Sequence, residues 1–237
     1  HIHGKNTLFD ARDDWMKLGH WKSLSAKLYK EYLTTLSASH RHLLDYFNMQ
    51  DLAFKVVGVG SVGTRCLVIL MVDAQENPLF LQVKESRKSV LAPYVPAGRS
   101  GYIHEGQRVV VGQRMMQASS DYFLGWAKGP SGRHFYVRQL RDMKTSAELE
   151  TMDAKQVAIY ARLCGWVLAR GHARAGGYAP EISGYLGNGG QFADAMVKYA
   201  NGYADQTEKD FEKFRAACRS RRLVARSDAD FAADFKV

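Results

Sequence analysis

Gly58, Gly60 and Gly63 enclose Val59, Ser61 and Val62 in a GxGxxG string. Glycines at that spacing let backbone N–H groups come close to a phosphate, because no Cβ stands in the way. Gly58, Gly60, Ser61 and Gly63 are therefore candidate phosphate-binding residues, with an ordinary tight hairpin as the other reading. Lys84 ends the apolar run 79–84, where an ammonium group either pairs with phosphate or is simply solvated. Glu105 shares a helical face with Val109, Gly112 and Met116. It reads either as an ion-pair partner that orients the lysine or as an acid favoured at a helix N-terminus by the dipole. Arg138, Gln139 and Arg141 follow the last apolar run of this region. They offer a backbone edge for a base and guanidinium groups for a phosphate, or else they are surface charges beside a domain boundary.

The elements that must position these residues follow from periodicity. Apolar residues at helical spacing predict a helix over 15–36 and a short one over 40–47. Runs rich in Val, Ile and Leu predict strands at 52–59, 66–72 and 79–84, then 122–127 and 134–140, with a helix over 104–119 after the third strand. Asp153 is placed to cap a long helix to about residue 173, whose Val157, Tyr160, Ala161, Cys164 and Leu168 form one apolar stripe. Glycines from 176 to 190 break the chain before a last helix over 192–218. The order predicts an α+β fold: a five-stranded antiparallel sheet with one inserted helix, flanked by helical segments. Three parts are expected: an N-terminal helical segment over 1–50, a nucleotide-binding lobe over 51–142 and a helical lobe over 143–237.

A strand follows Gly63 where a dinucleotide-binding fold would open a helix, so the glycines fit a strand-loop-strand hairpin. That is the protein-kinase arrangement, with a glycine loop over nucleotide phosphates and a lysine on the third strand. Phosphoryl transfer in that fold also needs a loop Asp, and an Asn and a second Asp to hold Mg²⁺. The sequence has no HRD, GDxHxxN or DFG string after the sheet, and residues 168–177, where the catalytic loop is expected, contain no carboxylate. His172 there reads as a helix-end histidine. The catalytic residues are left unassigned, and the chain alone is expected to be inactive.

Composition sets limits on these readings. The 237 residues are 46% hydrophobic and carry 33 Lys plus Arg against 24 Asp plus Glu, a net charge of +9, which excludes disorder as the overall state. The surplus raises the prior for an anionic partner. Arg219, Arg221, Arg222 and Arg226 have no aromatic-basic interleaving around them, so specific nucleic-acid binding is not expected. Cys66, Cys164 and Cys218 are odd in number and form no CxxC, which argues against a disulfide framework or a zinc site and fits a reducing, cytoplasmic setting. No apolar run reaches the roughly 20 residues of a membrane span, and no membrane partner is expected. The first residue is His1, not Met, and a piece of a longer protein is the expectation.

Several strings resemble a bacterial family known as domain of unknown function twenty-two fifty-two. They are residues 55–66 (KVVGVGSVGTRC), 79–85 (LFLQVKE), 106–110 (GQRVV), 136–144 (YVRQLRDMK) and 203–206 (YADQ). The likeness is expected to run from about 51 to 210, leaving residues before 15 and after 222 uncovered. It implies a kinase-like, aminoglycoside-phosphotransferase-like fold in circularly permuted order. Members look longer than this chain and carry GDxHxxNFG-like and FDxxDFDE-like segments before the portion seen here. The resemblance thus implies ATP as cofactor, Mg²⁺ held by residues outside this chain, a missing N-terminal portion as partner and an unknown acceptor substrate. The sequence departs from the family at Val111, where Glu is common. A non-catalytic kinase-like module that binds a protein is the alternative.

Overall fold

The computed structural model describes residues 8–10, 21–55, 64–95, 101–129, 132–141 and 145–224. In chain order these form β1 (Leu8–Asp10), α1 (Trp21–Thr34), α2 (Ala38–Leu44), β2 (Asn48–Lys55), β3 (Cys66–Val72), β4 (Pro78–Ser86), α3 (Glu105–Met116), β5 (Gly125–Lys128), β6 (His134–Gln139), α4 (Ala154–Gly176), α5 (Ala179–Leu186) and α6 (Gly190–Arg219). The fold is α+β, as the order of periodicities predicts. β2 to β6 are the five expected strands, and β1 adds a short edge, so the antiparallel sheet runs β1-β2-β3-β4-β6-β5.

Alternation along β4 decides which side chains become core. Leu79, Leu81 and Val83 are buried and lie opposite Met71, Ile69 and Leu67 of β3, while Val83 also faces Val137 of β6. α1 and its exit supply Leu28, Tyr32 and Leu36 to the same cluster, and Leu44 of α2 joins it. Each such side chain contributes about 1.5–3 kcal/mol relative to an exposed one. The Tyr32 hydroxyl donates to the Phe123 carbonyl (2.7 Å), which satisfies both groups in the interior. Burial raises the Tyr32 phenol far above its ordinary range. At the β3–β4 turn, Asp73 Oδ1 accepts from the N–H groups of Gln75 (2.9 Å) and Asn77 (2.8 Å), so the side chain builds the turn.

The described residues divide into two compact units, one up to residue 175 and one from residue 176 onward. In the first, α3 meets β4, β5 and β6. α4 begins with a reciprocal cap: the Gln156 N–H donates to Asp153 Oδ1 (2.8 Å) and the Asp153 N–H donates to Gln156 Oε1 (2.9 Å). Its apolar stripe is exposed at Val157, Tyr160 and Leu168, and Cys164 is exposed too. The second unit holds α5 and α6.

Three elements differ from expectation. β1 has only three residues, too few for a period to show. α5 forms inside the stretch read as glycine-broken: Pro180 stands in its first turn and Gly187, with φ 54°, ends it. β5 starts at Gly125 rather than 122, because Asp121 ties the preceding residues into a turn in which the Leu124 N–H donates to its carbonyl (3.1 Å).

Two glycines of α3 separate local from tertiary requirements. A Cβ on Gly106 would collide with the Phe135 carbonyl, whereas one on Gly112 meets nothing within 4 Å. Gly106→Ala is therefore expected to cost about 1–3 kcal/mol of stability, while Gly112→Ala gains roughly 0.5–1 kcal/mol through helix propensity. Urea midpoints of the two variants that move in the same direction would contradict this account.

Candidate functional site

The register of three strands assembles a polar patch on the sheet face opposite the Leu81–Val83 core. Cys66, Lys84 and Tyr136 lie side by side across β3, β4 and β6, and Val68, Gln82 and Arg138 form the next such row but one along β4. Cys66 and Gln82 are buried. Gln82 Nε2 donates to Cys66 Sγ (3.4 Å), and Gln82 Oε1 accepts from Arg138 Nε (3.2 Å), so one buried amide links the thiol to the guanidinium. Burial pushes the Cys66 thiol above its ordinary value, against the pull of Lys84 and the Gln82 bond. Burial likewise raises the Tyr136 phenol. Both groups are neutral near pH 7, and the charges that act on Cys66 are those of Lys84, Lys55 and Arg138. Gly58, Gly60, Ser61 and Gly63 lie outside the described residues, in the connection between β2 and β3.

Glu85 follows Lys84 and points to the other face. Its side chain is 4% exposed and has Arg133 (3.2 Å), Arg87 (3.4 Å) and Arg65 (3.5 Å) around it, while the Arg65 N–H donates to it at 3.0 Å. Burial alone would raise its carboxyl, but the Arg65 N–H and the three guanidinium groups hold it below the usual carboxylate range. This network clamps the end of β4 to the starts of β3 and β6.

Glu105 opens α3, and Arg108 Nε lies 2.6 Å from it, which makes Arg108 its partner among the described ion pairs. The Glu105 N–H donates to His134 Nδ1 (3.0 Å), and the Gln107 N–H donates to His104 Nδ1 (3.2 Å). The two imidazoles stack with centroids 4.1 Å apart. A histidine pair thus caps the helix N-terminus, a use of His134 that sequence periodicity does not signal.

At the other end of α3 a pocket of about 540 Å³ is lined by Gln113, Gln117, Ser119, Asp121, Arg138, Gln139, Arg141, Thr145 and Ser146. Three residues singled out by sequence meet here. Asp121 shapes the rim, with Oδ1 accepting from the Phe123 N–H (2.8 Å) and Oδ2 from the Gln139 N–H (2.7 Å). The structure therefore brings Arg138, Gln139 and Arg141 together, sets Lys84 beside Tyr136 on the adjoining sheet face, and puts Glu105 at the far end of the helix that lines the pocket. Gln113, Gln117 and Asp121 were not legible as site residues. The spacing of Gln113 and Gln117, four apart on a helix, is the one signal the sequence offers for them.

Fold and site define an α+β protein with a cationic sheet face that ends in a polar pocket. Among the described residues no group of three or more His, Cys, Asp or Glu is placed to hold a metal ion, and no helix is long and apolar enough to cross a membrane. The chain belongs to the family described as an uncharacterized protein conserved in bacteria (DUF2252), whose model matches residues 1–217. The match reaches further than the expected 51–210 and includes the residues before 15. Within that stretch Leu8 to Asp10 pair with Lys55 to Ala53 at the edge of the sheet. A search of curated proteins and a search of solved structures each found no match.

The capping pair makes a pH dependence. Burial, then the neighbouring His134 and Lys128, hold the His104 imidazole below its ordinary value, with Glu31 and the Ala127 backbone pulling the other way. The unfolded chain, with an ordinary histidine near about pH 6.5, binds the proton first. His104 therefore contributes stability that is fully present above about pH 6.5 and is lost as pH falls toward the depressed folded value. Unfolding free energies at pH 7.5 and 5.5 should fall in that order, and His104→Asn, which keeps a capping acceptor, should flatten the difference. An unchanged slope in the variant would remove His104 as its source.

Proposed function

We propose that this chain is the nucleotide-binding portion of a kinase-like phosphotransferase acting on an unknown substrate in a cytoplasmic setting. The observation that carries the reading is the register of Lys84 with Cys66, the first residue of β3 after the glycine-rich connection. An ammonium at that place on the sheet face is suited to pair with phosphates held by the backbone of Gly58 to Gly63. Further support comes from the order of elements: a strand, the glycine connection, a strand, the lysine strand, an inserted helix and two more strands, the last pairing with the lysine strand. ATP is the proposed cofactor. Its Mg²⁺ ligands and the catalytic carboxylate would come from residues outside this chain, in a permuted order of the fold.

A second reading, a non-catalytic module that binds a protein, is favoured by α4. Ile159, Leu163, Trp166 and Val167 are each more than half exposed there, and large apolar side chains grouped on a surface mark interaction faces. The two readings separate on one measurement. In calorimetry on the protein that carries this chain, Lys84→Ala is expected to weaken ATP binding roughly tenfold or more, the usual consequence of losing a charge-assisted contact. Unchanged affinity, or no nucleotide-dependent rise in melting temperature with or without Mg²⁺, rejects the nucleotide reading and leaves the binding module.

A further inference from the structure

The pocket at the end of β6 has a lining unlike that of a base-binding slot. A purine needs apolar surfaces above and below its ring, yet every described side chain around this recess is polar. Its charges are also unbalanced. Arg138 and Arg141 both line it, and the one carboxylate among the described lining residues, Asp121, already accepts the Phe123 and Gln139 N–H groups, one on each oxygen. Arg141 has no ion pair among the described residues. Arg138 is held from behind, because its Nε donates to Gln82 Oε1 (3.2 Å) and Gln82 is itself buried and bonded to Cys66. That anchoring uses one donor of the guanidinium and restricts its swing, so less conformational entropy is lost when the remaining donors meet a ligand.

We infer that this pocket binds a small hydroxyl-bearing oxyanion. Its anionic group lies against Arg138 and Arg141, and its hydroxyls meet the amides of Gln113 and Gln117. Two guanidinium groups in a recess suit a phosphate or a carboxylate equally in geometry, since both present paired oxygens to the planar fork. The amides supply both donors and acceptors, as hydroxyl recognition requires. A volume of about 540 Å³ accommodates a five- or six-carbon sugar acid or sugar phosphate. The inference goes beyond the nucleotide reading and does not depend on it, since Lys84 is not among the lining residues.

Calorimetry on the 237-residue chain tests it with ribose 5-phosphate, gluconate and, as a neutral control, ribose. At least one anionic probe is expected to bind, with ribose tenfold weaker or worse. Preference for ribose 5-phosphate identifies the phosphate form, and preference for gluconate the carboxylate form. Arg141→Gln, at an exposed position, and Arg138→Gln should each weaken the favoured probe roughly tenfold or more, and Lys84→Ala should leave it unchanged. The inference is overturned if neither anion binds, if ribose binds as well as its phosphate, if both arginine variants keep wild-type affinity, or if Lys84→Ala abolishes probe binding. Loss of ATP binding in Lys84→Ala with probe binding intact shows two separate sites. Intact ATP binding with no probe binding rejects this pocket alone.

Discussion

The two-residue period of β4 is the constraint on which the rest of the structure depends. Because successive side chains of a strand point to opposite faces, Leu79, Leu81 and Val83 enter the core while Gln82 and Lys84 are delivered to the other side. β4 is central, with β3 on one edge and β6 on the other. A slip of one residue would turn the lysine into the apolar cluster and the valine out of it, so the apolar face that stabilises the fold also enforces the position of the candidate site. Core and function are two readings of one strand.

Charge is handled differently at two places on that strand. Glu85 is nearly buried, but three arginines and a backbone N–H surround it, so the cost of its desolvation is met by hydrogen bonds and opposite charge. The result is a rigid junction among β3, β4 and β6. Three residues back, at the middle of the strand, Gln82 holds Arg138 in a hydrogen bond from a neutral amide, and no described ion pair takes up the charge of that guanidinium. A carboxylate at the first place stabilises the sheet. An uncharged amide at the second keeps a cation available beside the pocket, with Arg141 as its companion.

Much of the fold was legible because long, strongly periodic segments leave few alternatives. The strands 66–72 and 134–140, and the long helix that Asp153 caps, are found within a few residues of expectation. Short or glycine-rich pieces were not legible. Leu8–Asp10 is a strand because β2 presents a free edge to it, and α5 is a helix although glycines flank it. The chemistry of single residues was legible in the same limited way. Lys84 and Arg138 were identifiable as cations at the ends of apolar runs, but Glu105 meets Arg108 on its own helix, because residues three apart on a helix are neighbours whatever the tertiary context.

The sequence by itself determined the α+β class and the order of the longer elements, because these follow from local periodicity and side-chain hydrophobicity. It also marked the glycine string and the basic residues as the groups able to meet an anion. Only the tertiary structure decided which of those groups share a site. The pocket joins the end of α3, the loop at Asp121, the end of β6 and the segment at Thr145, places up to 33 positions apart in sequence (113 to 146). Such a meeting depends on strand pairing and on the angle at which a helix crosses a sheet, and neither leaves a periodic trace in the chain.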